Sequence, residues 1–211
     1  MKEHLVKEIL SKEWKMFTKV INKGGKAPCQ KDRKTFTFMR SSQFESLPIG
    51  ILESYFYDLV VAERQGRNLM TEKYARMMEY TVPEEYKAIK DFLPKIDLIS
   101  KKYIEGIIPI FLEWEKEFRR EYPYLSSISR PAFSSEDKPS QTSFETYLKA
   151  EIFTYSPSTI WLYYHFIKEM TVKGINFSKQ IQLNIVKQYG FSSLKEANES
   201  VKRKITECNS H

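Results

Sequence analysis

The chain has 211 residues, with 34 Lys+Arg against 27 Asp+Glu and a formal net charge of +7. That length supports one sizeable core and predicts a single domain over 1–211. The longest apolar run, Gly106 to Leu112, is far short of the ~20 residues that cross a bilayer. The first residues carry a charge every few positions instead of the apolar stretch of a signal peptide. Two cysteines at opposite ends, Cys29 and Cys208, suit a reducing compartment, so a cytoplasmic location is expected.

The basic excess is uneven: residues 1–34 carry +6, 35–100 carry −2, 101–140 balance, and 141–211 carry +3. Lys and Arg do not cluster along one element with interleaved aromatics, so nucleic-acid binding through the basic N-terminal segment ranks third among the readings.

Helical periodicity dominates in chain order. Leu5, Ile9, Leu10, Trp14, Phe17 and Ile21 recur at i, i+3/i+4 and predict a first helix to about Asn22, before Gly24-Gly25 and Pro28. Thr35–Phe38 alternates like a short strand, and a long helix is expected from about Ser42 to Gly66. Thr71 is read as the cap of a helix through Met77 and Met78, and Thr81-Val82-Pro83-Glu84 as a capping box for the next. A long amphipathic segment runs from Lys95 to about Glu121, interrupted by Gly106 and Pro109. Residues 122–141, with Pro123, Pro131 and Pro139 among serines, read as one long loop. Thr142-x-x-Glu145 opens a helix to about Tyr155, Ser156-Pro157 opens one that stops at Gly174, and helices from Ser178 and Ser193 complete the chain. The expected class is all-α: an irregular bundle of eight or nine helices, with no βαβ alternation and no repeat.

No phosphate-binding glycine motif, His-Glu-x-x-His pair, Glu-x-x-His site or nucleophile elbow occurs, so no metal and no cofactor are expected. Three constellations could carry chemistry. Lys23, Gly24 and Gly25, with Lys26 and Cys29 beyond, would let the backbone approach an anion; the alternative is a helix cap and turn. Arg67 and Asn68 lie at a loop-to-helix junction with Lys73 and Arg76 following; here a Glu72, Arg76, Glu79 ion ladder along one helix is the plainer alternative. Glu151 shares a helical stripe with Phe144, Tyr147, Leu148 and Tyr155. It is read either as a perturbed acid/base or as the buried partner of an arginine such as Arg40, Arg64 or Arg76. Asp58 lies off the centre of its helix's apolar face.

Several runs carry a resemblance. Asn22-Lys23-Gly24-Gly25, Met39-Arg40, Ser54-Tyr55, Gly66-Arg67-Asn68-Leu69, Glu72-Lys73-Tyr74-Ala75-Arg76-Met77-Met78-Glu79, Thr142-Ser143 and Thr154-Tyr155-Ser156 resemble the bacterial family called domain of unknown function 4125, over about residues 14–164. The resemblance implies no named activity and supplies no catalytic residue. Relatives joined to a nucleotidyltransferase-like domain imply a helical partner to nucleotide or small-molecule chemistry. The expected function is therefore a polar cleft that binds or converts a small anionic or nucleotide-like molecule. Lys23, Gly24, Gly25, Arg40, Arg67, Asn68, Lys73 and Arg76 would hold the ligand, and Asp58 or Glu151 would move protons. The alternative is a non-enzymatic module that docks on a partner protein.

Overall fold

A computed structural model describes residues 1–22 and 24–208. Eleven α-helices lie among them: α1 (Lys2–Phe17), α2 (Arg33–Ser46), α3 (Ile49–Arg64), α4 (Leu69–Thr81), α5 (Pro83–Ile89), α6 (Leu98–Glu121), α7 (Pro123–Ser127), α8 (Phe144–Ile152), α9 (Pro157–Val172), α10 (Phe177–Gln188) and α11 (Leu194–Cys208). The described residues contain no strand, only an isolated bridge between Lys138 and Gln141. The all-α class therefore holds, with eleven helices in place of eight or nine.

Local chemistry accounts for the differences. Thr35–Phe38 lies inside α2, which begins when the Asp32 carboxylate accepts from Thr35 N. Pro48 cannot donate a backbone hydrogen bond, so the helix expected from Ser42 to Gly66 is broken there and restarts as α3. Asn68, not Thr71, caps α4 by accepting from the Thr71 amide. Val82 precedes Pro83 at the start of α5 without a side-chain cap, in place of the expected capping box. The segment 122–141 is not wholly a loop, because α7 and a 3-10 turn at Ser134–Glu136 lie within it.

The 24-residue α6 is the central element, packing against α7, α8, α9 and α10. Its Ile104, Ile107 and Phe111 join Ile160, Tyr163 and Ile167 of α9, Leu52 and Leu59 of α3 and Ile9 of α1 in the main core. A smaller core of Phe118, Leu125, Val186, Leu194 and Ala197 lies at the far end of α6. Gly106 lets α9 approach closely: a Cβ there would meet the Tyr164 ring at 2.8 Å. The extended strap Leu93–Asp97 joins α5 and its trailing 3-10 turn to α6, whose first turn is capped by the Asp97 carboxylate. No helix among the described residues is long and apolar enough to cross a membrane.

Candidate functional site

The residues proposed from sequence separate into three environments. The first is a buried ionic quartet. Arg40 projects from α2 and donates through Nε and Nη2 to both oxygens of Glu13 on α1, at 2.8 and 2.5 Å. Its Nη1 reaches both oxygens of Glu151 on α8, each at 2.9 Å, and Lys73 of α4 donates to Glu151 Oε2 at 2.7 Å. The Tyr55 hydroxyl donates to Glu13 at 2.6 Å, the Tyr155 hydroxyl to Glu151 at 3.0 Å, and Gln43 to Glu151 at 3.1 Å. Lys73 also lies 3.6 Å from the centroid of the Tyr147 ring.

All four charged residues are at most 5% exposed. Burial alone would raise the Glu151 carboxyl, but Arg40 and Lys73 outweigh it and hold it well below the usual carboxylate range. Burial opposes charge on Arg40 as well, yet Glu13 and Glu151 raise its pKa well above the ordinary arginine value. Two cations and two carboxylates with matched hydrogen bonds leave no buried side-chain nitrogen or oxygen of the quartet without a partner. Of the two sequence readings of Glu151, the arginine-paired one describes this geometry, with Arg40 as the arginine. Glu13 belongs to the group equally and was missed, although it continues the i, i+4 stripe from Ile9 to Phe17.

The second environment is a cleft of about 760 Å3 between α4, α5, the 93–97 strap, α6 and α8. Arg76 faces it, and so does Lys149, a residue the sequence did not single out. Their charged groups lie 5.4 and 6.0 Å from the centroid of the same Phe153 ring. Arg76 Nη2 donates to the Pro94 carbonyl at 2.5 Å, and Lys149 Nζ to the Tyr80 hydroxyl at 2.6 Å. Among the described residues neither cation has a carboxylate within 4.0 Å, and Arg76 Nε is buried without a hydrogen-bond partner. The expected Glu72–Arg76–Glu79 ladder therefore does not form; Glu72 turns back to Arg67. Burial lowers the Arg76 pKa; burial acts against charge on Lys149 as well, but the Tyr80 hydrogen bond together with the fields of Tyr80, Glu79 and Glu145 outweighs it and raises the Lys149 pKa. Six Lys or Arg line the cleft against four Glu. Lys101–Glu105 and Lys116–Glu113 cancel in pairs, so the remainder is positive.

The third is a smaller cleft of about 350 Å3 on the other side of the strap, sharing Pro94, Lys95, Ile96 and Phe153 with the larger one. Asp58 of α3 lies in its wall, 8% exposed, and accepts from Ser156 N at the start of α9 at 3.0 Å. Burial pushes the Asp58 carboxyl up, against hydrogen bonds from Ser156 and Thr159 that lower it. Ser54, Thr159 and Ser156 form a hydroxyl chain beside it, with oxygen separations of 2.6 and 3.1 Å. Arg67 lines this cleft already neutralised by Glu72, through two bonds of 2.8 Å.

Gly24, Gly25 and Asn68 line neither cleft. Lys23 lies outside the described residues. Gly24 and Gly25 are exposed with nothing within 4 Å of an added Cβ, and Gly25 adopts a φ of +84°. The buried Gln30 amide donates to the Phe17 and Val20 carbonyls, so this segment closes the end of α1 as a cap and turn. Cys29 is exposed beside it. Asn68 caps α4 and ties it to α1 by donating to the Met16 carbonyl at 2.9 Å. Neither of the two clefts gathers Arg40, Arg67, Arg76 and Glu151.

A family model described as "Protein of unknown function (DUF4125)" matches residues 3–199. The chain belongs to this DUF4125 family. The match extends beyond the 14–164 motif segment to take in α10 and part of α11, so all three environments fall within the DUF4125 region. No curated protein and no solved structure matches the chain.

Proposed function

We propose that this DUF4125 protein binds a small anionic, nucleotide-like molecule in the larger cleft, with Arg76 and Lys149 holding the anion and Phe153 and Tyr80 offering ring surfaces. The observation that carries the reading is the pair of cations without carboxylate partners, one of them with a buried N–H that lacks an acceptor. A buried donor left unsatisfied costs about 1–3 kcal/mol, which Arg76 would recover by turning its Nε–H onto a phosphate or carboxylate oxygen in the cleft. The volume falls in the range of small-molecule sites, about 300–1,000 Å3. If the bound molecule is converted, Asp58 is the carboxylate placed to move a proton, because Glu151 is fully committed to Arg40 and Lys73.

The test is calorimetric titration of inorganic phosphate and of adenosine 5′-monophosphate at low salt, against wild type and the Arg76→Gln/Lys149→Gln double variant. The reading expects at least about a tenfold loss of affinity in the variant, since each charge-assisted hydrogen bond contributes about 1.5–3 kcal/mol. Equal binding by the two proteins would refute it.

A second reading, docking on a partner protein, is favoured by one observation: Phe92, Leu98 and Ile99, flanking the strap, are 86%, 78% and 66% exposed. We also propose one domain, since α6 and α10 contribute to both cores, and a cytoplasmic location, which suits two exposed free cysteines.

A further inference from the structure

The two clefts meet at the 93–97 strap and the Phe153 ring, and their linings differ in kind. The larger presents two cations without a carboxylate in contact and a positive balance overall. The smaller is lined by Ser54, Ser100, Thr154, Ser156 and Ser158 besides Asp58; its one arginine is already neutralised, and its one lysine, Lys95, is matched by Asp58 and Asp97 in the same lining. An anion gains little on the Asp58 side. A neutral group rich in hydroxyls finds both donors and acceptors there.

We propose that the smaller cleft is a sugar subsite, in which Asp58 accepts hydrogen bonds from a vicinal diol of the same molecule whose anionic group is seated on Arg76 and Lys149. The inference rests on the anion-binding reading of the larger cleft and deepens it, naming the ligand class as a phosphorylated sugar or nucleotide. A carboxylate suits a diol because its two oxygens carry about four lone-pair sites, so Asp58 can keep its bond to Ser156 N and still accept others. Its burial strengthens such bonds by excluding competing water. The strap lies where the two parts of the ligand would join. Its Pro94 carbonyl is the acceptor now held by Arg76, so an anion on Arg76 competes directly with the contact that pins the partition.

The experiment titrates inorganic phosphate, ribose 5-phosphate, adenosine 5′-monophosphate and its 2′,3′-dideoxy analogue into wild type and Asp58→Asn. Asn retains an oxygen for Ser156 N, and a thermal unfolding scan confirms that the variant folds. In wild type, ribose 5-phosphate and adenosine 5′-monophosphate should bind at least about tenfold more tightly than phosphate, and the dideoxy analogue should lose most of that gain. Asp58→Asn should erase the gain while leaving phosphate binding unchanged. Ribose 5-phosphate matching the nucleotide assigns the gain to the sugar alone; a tighter nucleotide adds a ring contact and supports the subsite only if removing the diol still weakens it. Sugar phosphates no tighter than phosphate, or a dideoxy analogue equal to its parent, overturn the subsite and leave the anion reading standing. Loss of phosphate binding from both proteins defeats the anion reading instead.

Discussion

The quartet around Arg40 and the cleft around Arg76 use the same residue types on neighbouring helices with opposite results. In the quartet, Arg40 and Lys73 each meet a carboxylate at hydrogen-bond distance and aromatic hydroxyls complete the set. In the cleft, Arg76 and Lys149 meet a carbonyl, a phenol and an aromatic face, but no carboxylate. Charges satisfied within the chain hold four helices together and have little left for a ligand. Charges left without counter-charges contribute little to the fold, and their interaction is available to something else.

The largest effect should come from breaking the quartet. Arg40→Ala leaves Glu13 and Glu151 buried without their shared guanidinium, and removing one member of a buried pair costs about 3–5 kcal/mol. Denaturant unfolding should show a corresponding drop in midpoint; a loss below about 1 kcal/mol would mean that the quartet is not the clamp described.

The next effect is its pH dependence. The folded Glu151 carboxyl lies below its ordinary value of 4.5, so its contribution is fully present above that pH and is lost as pH falls towards the folded value. The stability gap between wild type and Glu151→Gln should be widest near neutrality and narrow as the solution is acidified below about 4.5. Asp58 has the opposite sign, because burial raises its folded pKa. Relative to wild type, Asp58→Asn should be at its best above the raised folded value and lose ground as pH falls through it. Parallel pH profiles for the two variants would erase the distinction between quartet and cleft.

Tyr55→Phe probes a single bond of the quartet. It removes the hydroxyl that donates to the buried Glu13 at 2.6 Å. The expected cost is about 1.5–3 kcal/mol, the range for hydrogen bonds to charged groups. Tyr80→Phe is the cleft counterpart and should cost less, because Lys149 is only partly buried.

The sequence carries the quartet better than the cleft. The inward placement of Glu151 on an apolar stripe follows from helical spacing alone, because α8 presents that face inward whatever it meets; which of Arg40, Arg64 and Arg76 would pair with it does not. Glu13 obeys the same rule, but the charges on either side of it in α1 obscure the pattern. Lys149 gives no comparable signal. Its place beside Arg76 depends on how α8 crosses α4 and how the Leu93–Asp97 strap lies, neither of which is encoded in local periodicity. The helix boundaries divide similarly: Ser156-Pro157 and Gly174 mark α9 in one dimension, whereas the break at Pro48 and the short α7 required the weight of single prolines within longer apolar patterns.

The most direct test is the unfolding free energy of Arg76→Gln/Lys149→Gln with and without inorganic phosphate. Without phosphate, the variant should lose clearly less stability than Arg40→Ala, because the Arg76–Pro94 and Lys149–Tyr80 bonds it gives up are offset in part by removing the unsatisfied Nε–H of Arg76. With phosphate at about a hundredfold above its dissociation constant, wild type should gain about 2.7 kcal/mol and the variant little or none. A variant several kcal/mol less stable without ligand, or one that gains as much from phosphate as wild type, would contradict the account.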